Sequence, residues 1–364
     1  MGWRSLACLV LAAGCSQILG VNDVTLGDGG GGGGGGDGGG GSACVMGSLI
    51  DACFHTLPAG DVTLNSPINT DTDSRCVTQA QPGGPDVCMI GGATVMVTGT
   101  VRATGKKPLV LVAVMDLTVN GVIDVSGIAL NAPPAAVDQS PCPGVGNGLD
   151  GNGPGGGGGG AFGTGAKSGG QGAANTQGAG GTASTPPAYI RGGCSGGKGG
   201  NGSPSTAGLA GIGGGAVYLL AGDSIDVGDG SSINASGGGG GGGSLVGGGG
   251  GGGAGGMIGL DAPEVDVEGD VFANGAGGGG GGDTTDVGSS AFTGSLTAAA
   301  GGMAPNGASG TGGNGGVGAQ APLVGSSCPG GGCGGGGGGG SVGVIWMNYQ
   351  FSTVGGNIVP DAIP

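Results

Sequence analysis

The chain has 364 residues, of which 110 are glycine and 19 proline, and its formal net charge is −15. Collagen is excluded, because glycine comes in uninterrupted runs such as Gly277 to Gly282 instead of at every third position. With 8 Lys and Arg against 23 Asp and Glu, no basic stripe exists to neutralise phosphates, so nucleic acid is excluded as a partner. The single histidine, His55, excludes chemistry that needs two.

Residues 1–14 read as a signal peptide. Met1 to Arg4 carries one positive charge, Ser5 to Ala13 is mostly apolar, and small residues lead into Cys15. The apolar stretch is too short to span a bilayer. Leu11-Ala12-Ala13-Gly14-Cys15 resembles a bacterial lipoprotein box, with the leucine one place earlier than the usual spacing. The resemblance implies cleavage before Cys15 and lipidation of its thiol. With Ser16 following, it also implies a place in the cell envelope, at the outer membrane or cell surface. Residues 15–43 are then the anchor and tether. Gly29 to Ser42, broken only by Asp37, has no side chains to bury and is expected to be flexible, spanning roughly 20 Å.

Ten cysteines, less Cys8 in the signal and Cys15, leave Cys44, Cys53, Cys76, Cys88, Cys142, Cys194, Cys328 and Cys333. An even number in an exported chain reads as disulfides. Zinc is the alternative, but no CxxC pair occurs. Nearest-neighbour pairing is expected: 44 with 53, 76 with 88, 142 with 194 and 328 with 333.

Residues 44–94 read as a Cys-containing N-terminal coil or cap, and 95–364 as a repeat. The pattern V-x-G-x-[VI]-x-[AV]-x-G runs from Val97 to Gly105, from Val119 to Gly127 and from Val267 to Gly275. A fourth copy, Val227 to Gly237, carries extra residues around Asp229-Gly230, and a weaker one lies at Leu64 to Thr70. A further strand precedes most copies: Leu109-x-Leu111-x-Ala113, Val217-x-Leu219-x-Ala221 and Ile258-x-Leu260-x-Ala262. Alternation at period two predicts one buried and one exposed face, with the mid-motif glycine at a corner.

The shortest interval between copies, Val97 to Val119, is 22 residues, about one coil of a β-solenoid. The predicted fold is therefore all-β: a parallel β-solenoid, or β-helix, of about five or six coils with long glycine-rich loops on one edge. Those insertions, 128–215, 238–256 and 276–340, all follow the closing glycine of a motif, and 73–93 occupies the equivalent corner. Val342 to Phe351 departs from the pattern, as a terminal capping coil should. Two arrangements are open to the polyglycine runs: disorder, or side-by-side packing as polyproline II-type helices.

Taken together, Cys15-Ser-Gln-Ile-Leu-Gly20, Leu57-Pro-Ala-Gly60, Lys107-Pro-Leu-Val-Leu111 and Gly214-Gly-Ala-Val-Tyr-Leu219 make the chain similar to glycine-rich, parallel-β-helix-like lipoproteins of unknown function found in myxobacteria. The resemblance implies the fold and the anchor but no activity.

Glycine richness generates motif matches by chance. Gly193-Cys-Ser195-Gly-Gly197 fits a nucleophile elbow and Gly192 to Lys198 part of a P-loop, but neither has the strand-to-helix context it needs. Val145 to Asp150 is a lone near miss to a calcium nonapeptide. Asn69, Asp71 and Asp73 have the spacing of early calcium-loop ligands without the later glycine and glutamate. His55 reads as a packed or surface residue. Arg102 and Asp124 share one outward position and predict a surface ion pair. Asp226 and Asp266 share another, and adjacent coils would bring their carboxylates to about 5 Å, the separation of a retaining glycosidase pair or half a calcium site. A solvated strand face is the plainer account. The expectation is a non-enzymatic, surface-anchored lipoprotein with a structural or adhesive envelope role and no metal or cofactor. Its partners would be the membrane, through the lipid, and an envelope polysaccharide or surface protein. The alternative is a polysaccharide-acting β-helix enzyme using Asp226 and Asp266.

Overall fold

A computed structural model describes residues 43–128, 133–137, 142–173, 177–183, 188–203, 205–307, 309–328, 330 and 332–364. The expected signal, Cys15 and most of the tether lie outside the described residues. Within them the chain is nearly all-β, with a single 3-10 turn at Pro305–Gly307.

Three six-stranded sheets carry the fold. The first contains β5 (Val77–Gln79), β6 (Val87–Gly92), β9 (Leu109–Ala113), β12 (Ala216–Ala221), β15 (Met257–Asp261) and β18 (Val344–Asn348). The second contains β3 (Val62–Leu64), β7 (Val95–Val97), β10 (Asp116–Val119), β13 (Ser224–Val227), β16 (Glu264–Val267) and β19 (Phe351–Val354). The third contains β4 (Ile68–Asn69), β8 (Thr100–Thr104), β11 (Val122–Asp124), β14 (Ser232–Asn234), β17 (Asp270–Phe272) and β20 (Asn357–Val359). In every sheet the strands follow one another in chain order. All pairs are parallel except β5 with β6.

The register explains the repeat. Val97, Val119, Val227 and Val267 stand opposite one another, as do Val101, Ile123, Ile233 and Val271, and all are fully buried. Leu111, Leu219 and Leu260 close the same core from the first sheet. Each such side chain contributes about 1.5–3 kcal/mol of burial. The mid-motif glycines sit at the corners between second- and third-sheet strands. A Cβ on Gly121 would run into the Gly99 backbone of the preceding corner, so only glycine lets the corners stack. The extra residues of the fourth copy form a turn in which Gly230 has φ +73°.

The first sheet departs from the expected alternation. β9, β12 and β15 are buried at every residue, so both faces are covered. Val110, Val112, Tyr218, Leu220 and Met257 form a second apolar cluster with residues outside the sheets. One cover is a hairpin of β1 (Ala43–Val45) and β2 (Ala52–Phe54), joined by Cys44–Cys53. The hairpin therefore lies along the flank of the first sheet and does not cap an end. The other cover is the glycine-rich region, which supplies Phe162, Ile190 and Ala254. Strands buried on both faces read as continuous apolar runs. Leu109 to Ala113 and Ala216 to Ala221 are such runs.

Three long segments, 125–215, 235–256 and 273–343, each lead from a third-sheet strand back to a first-sheet strand, with no named strand among their described residues. Their glycines are joined by backbone hydrogen bonds with a period of three. Gly157 and Gly160 donate N–H bonds to the carbonyls of Gly249 and Gly252. Gly249, Gly252 and Gly255 donate to Gly335, Gly338 and Ser341, which donate in turn to Pro154, Gly157 and Gly160. All these bonds measure 2.9 Å and close a ring of three parallel segments. The intervening amides reach other neighbours: Gly250 and Gly253 bond Gly241 and Gly238, while Gly248 and Gly251 bond Gly200 and Gly197. A Cβ on Gly251 would stand inside the carbonyl oxygen of Gly158. The approach is open only to glycine.

The four disulfides are Cys44–Cys53, Cys76–Cys88, Cys142–Cys194 and Cys328–Cys333, the nearest-neighbour pairing. Val342 to Phe351 does not leave the pattern, since β18 continues the first-sheet ladder opposite β15. The chain end covers its edge, with Met347 N–H bonded to the Ile363 carbonyl and Ile363 N–H to that of Ile345, both at 2.9 Å.

Candidate functional site

A buried polar cluster lies where the hairpin crosses the first sheet. Asp261 ends β15 on the sheet's outer face and is only 4% exposed. Tyr218, from the middle of β12, donates its hydroxyl hydrogen to Asp261 Oδ2. The backbone N–H of Ser48, in the hairpin turn, donates to the same oxygen at 2.5 Å. Asn348 Nδ2, at the end of β18, donates to Oδ1 at 2.8 Å. Ser48 Oγ lies 3.2 Å from the Tyr218 hydroxyl and accepts a bond from Trp346 Nε1 at 3.1 Å. Burial, and next the neighbouring Asp261 carboxylate, push the Tyr218 phenol above its ordinary value of 10.0. The hydroxyl therefore remains a donor at any physiological pH.

Beside this cluster a cleft of about 640 Å³ opens between the hairpin and the sheet's corner turns, lined among others by Met46, Asp51, Leu57, Pro263 and Tyr349. Asp261 borders it, but both carboxylate oxygens already accept bonds from the protein. The chemistry of the cluster is that of a clasp. It fixes a turn far away in sequence onto strands β12, β15 and β18. Farther along the hairpin, a Cβ on Gly91 of β6 would strike the Phe54 ring. The hairpin thus crosses the sheet from β6 to β18, perpendicular to the strands. With strand spacing near 4.8 Å, that span is about 19 Å.

Asp226 and Asp266 are direct partners in β13 and β16 on the outward face of the second sheet. Above and below them the ladder continues with Thr118 and Thr353, and Asp266 Oδ1 accepts a bond from Thr353 N–H at 3.1 Å. Arg102 and Asp124 are partners in β8 and β11 and pair at 2.7 Å. Their side chains are only 19% and 18% exposed, and Arg102 also bonds Ser126 Oγ and its carbonyl. The pair is thus more enclosed than the expected surface contact.

Asn69, Asp71 and Asp73 do not converge. Asn69 Oδ1 accepts from Asp71 N–H, Asp71 accepts from Lys106 N–H, and Asp73 pairs with Arg75 at 2.7 Å. The Arg75 guanidinium holds the Asp73 carboxyl below the usual aspartate range. His55 is exposed. Gly193 to Lys198 lies within the glycine array, where Gly193 and Gly197 bond Gly214 and Gly158 and Ser195 Oγ accepts from Gly213 N–H. That placement leaves no nucleophile elbow and no phosphate loop there. Near Val145 to Asp150, Asp150 Oδ1 is bonded by Asn201 N–H at 2.6 Å. Arg191, 2% exposed, lies over the Phe162 ring at 4.5 Å. The Tyr218–Asp261–Ser48 clasp escaped sequence reading. Its one signal was a tyrosine and an aspartate at the outward positions of otherwise apolar strands. No family model matches the chain, and no curated protein or solved structure is significantly similar to it.

Proposed function

We propose that this chain is a non-enzymatic, lipid-anchored scaffold of the cell envelope. In that reading it is a parallel β-solenoid of five complete coils and a partial first one, flanked on one edge by a polyglycine II-like bundle. Cys15 would hold it to the outer membrane, residues 16–42 would set it off the surface, and the body would present a rigid face to an envelope polysaccharide or surface protein. The observation that carries this reading is the clasp. The hairpin that begins directly after the glycine tether is bonded through Ser48 to Tyr218 and Asp261, deep on the first sheet. A pull arriving through the tether is then shared across strands from β6 to β18 and does not peel off one terminal strand.

The test is expression of the full chain in a diderm bacterium, followed by fractionation and mass determination of the mature N-terminus. An acylated Cys15 in the membrane fraction, released by Cys15→Ser, is the expected result. An unmodified Cys15 in the wild-type chain would overturn the anchor.

A second reading, a polysaccharide-acting enzyme, draws support from the register that sets Asp226 directly opposite Asp266. Incubation of the chain with bacterial and plant polysaccharides separates the two. New reducing ends that disappear in Asp226→Ala would replace the scaffold by an enzyme.

A further inference from the structure

The two ends of the sheet stack are finished differently. At the last strands, the first sheet's edge β18 is covered by the chain terminus through Ile363. Among the described residues no strand lies beyond the second sheet's edge β19, which is exposed at all four residues. Phe351 is 69% exposed and Val354 51%. Phe351 and Gly355 direct their N–H groups at the carbonyls of Pro263 and Val267 on the β16 side. By strand alternation, the N–H and C=O groups of Ser352 and Val354 point away from the sheet. Soluble proteins usually guard such an edge with charge. Here no charged residue occurs from Ser341 to Pro360, in a chain of net charge −15. At the opposite end, Asp61 adjoins β3, and Asp71, Asp73 and Arg75 follow β4.

We propose that β19 is a self-pairing edge, joining two copies of this chain tail to tail about a twofold axis at Thr353. In antiparallel pairing centred there, Ser352 faces Val354 of the second copy, and the two exchange both backbone bonds; the symmetry repeats the exchange. Phe351 then lies over Gly355 of the second copy, where the missing side chain leaves room for the ring. A mutually repelling acidic chain can meet itself along β19 because that strand itself carries no charge, the nearest carboxylates, Glu264 and Asp266, standing one strand back on β16. The proposal does not depend on the lipid anchor or on the scaffold reading.

Sedimentation velocity of the full chain carrying Cys15→Ser, which removes the lipid, tests it. The expected result is a concentration-dependent species of twice the monomer mass. Ser352→Pro removes an outward N–H without touching the β16–β19 ladder, and should weaken the dimer about tenfold or more. Val354→Lys should leave monomer, with an unchanged far-UV spectrum. Thr353→Cys should cross-link across the twofold, where opposing Cα atoms in a non-hydrogen-bonded pair lie about 4.5 Å apart. Monomer at all concentrations would overturn the proposal. So would a dimer that Ser352→Pro leaves intact and Thr353→Cys fails to trap.

Discussion

In the three sheets the molecule is held by side chains. Val119, Ile123 and Leu219 are fully buried among others of their kind, and the backbone stays at ordinary strand spacing. In the glycine array the holding is done by the backbone, with segments such as 154–160, 249–255 and 335–341 bonded to each other at 2.9 Å. The two regions also meet, because the runs ending at Gly215, Gly256 and Gly343 pass straight into β12, β15 and β18. The difference concerns tolerance. An apolar core accepts a slightly smaller side chain at modest cost, because its parts are interchangeable in kind. Where the array sets a carbonyl against Cα, as at Gly251, it accepts no side chain.

That contrast can be broken most sharply by paired substitutions. Gly251→Val puts branched carbon into the Gly158 carbonyl and should cost about 3 kcal/mol or more. Ile233→Val in the core should cost about 1 kcal/mol. Denaturant melts of the two proteins compare them directly, and equal losses would mean that the array is not tightly packed.

The clasp joins the regions through polar chemistry and should rank next. Tyr218→Phe leaves Asp261 short of one donor and should cost about 1–3 kcal/mol at neutral pH. The effect has a pH signature. The folded state raises the Tyr218 pKa above 10.0, so its contribution is complete below that pH and is lost as pH rises beyond it. Melting temperatures of the wild-type chain should fall above about pH 10 more steeply than those of Tyr218→Phe. Parallel curves would detach the titration from the clasp.

The smallest expected effect lies on the third sheet. Arg102→Ala removes a part-enclosed pair with Asp124 and two bonds to Ser126. The loss should be about 1 kcal/mol, read in the same melts and reduced by salt.

Much of the sheet region was legible in the sequence. The valine and glycine spacing at Val97 to Gly105 and Val119 to Gly127 fixed which residues face inward, and the observed register follows it. It also set Asp226 opposite Asp266, because one period governs both faces of a strand. The clasp was not legible. Ser48, Tyr218, Asp261 and Asn348 belong to four separate stretches, and nothing local to Ser48 says which strands it will cross.

The sequence by itself determined the all-β character, the corners and the inward residues of the stack. These rest on local periodicity and on the conformational range of glycine, which act over a few residues. Only the tertiary structure decided that both faces of the first sheet are covered, and that the hairpin runs along its flank. It alone decided, too, which glycine run bonds to which. Identical glycines carry no label, so the partner of Gly249 follows from where β12, β15 and β18 deliver their incoming chains, not from anything written at Gly249.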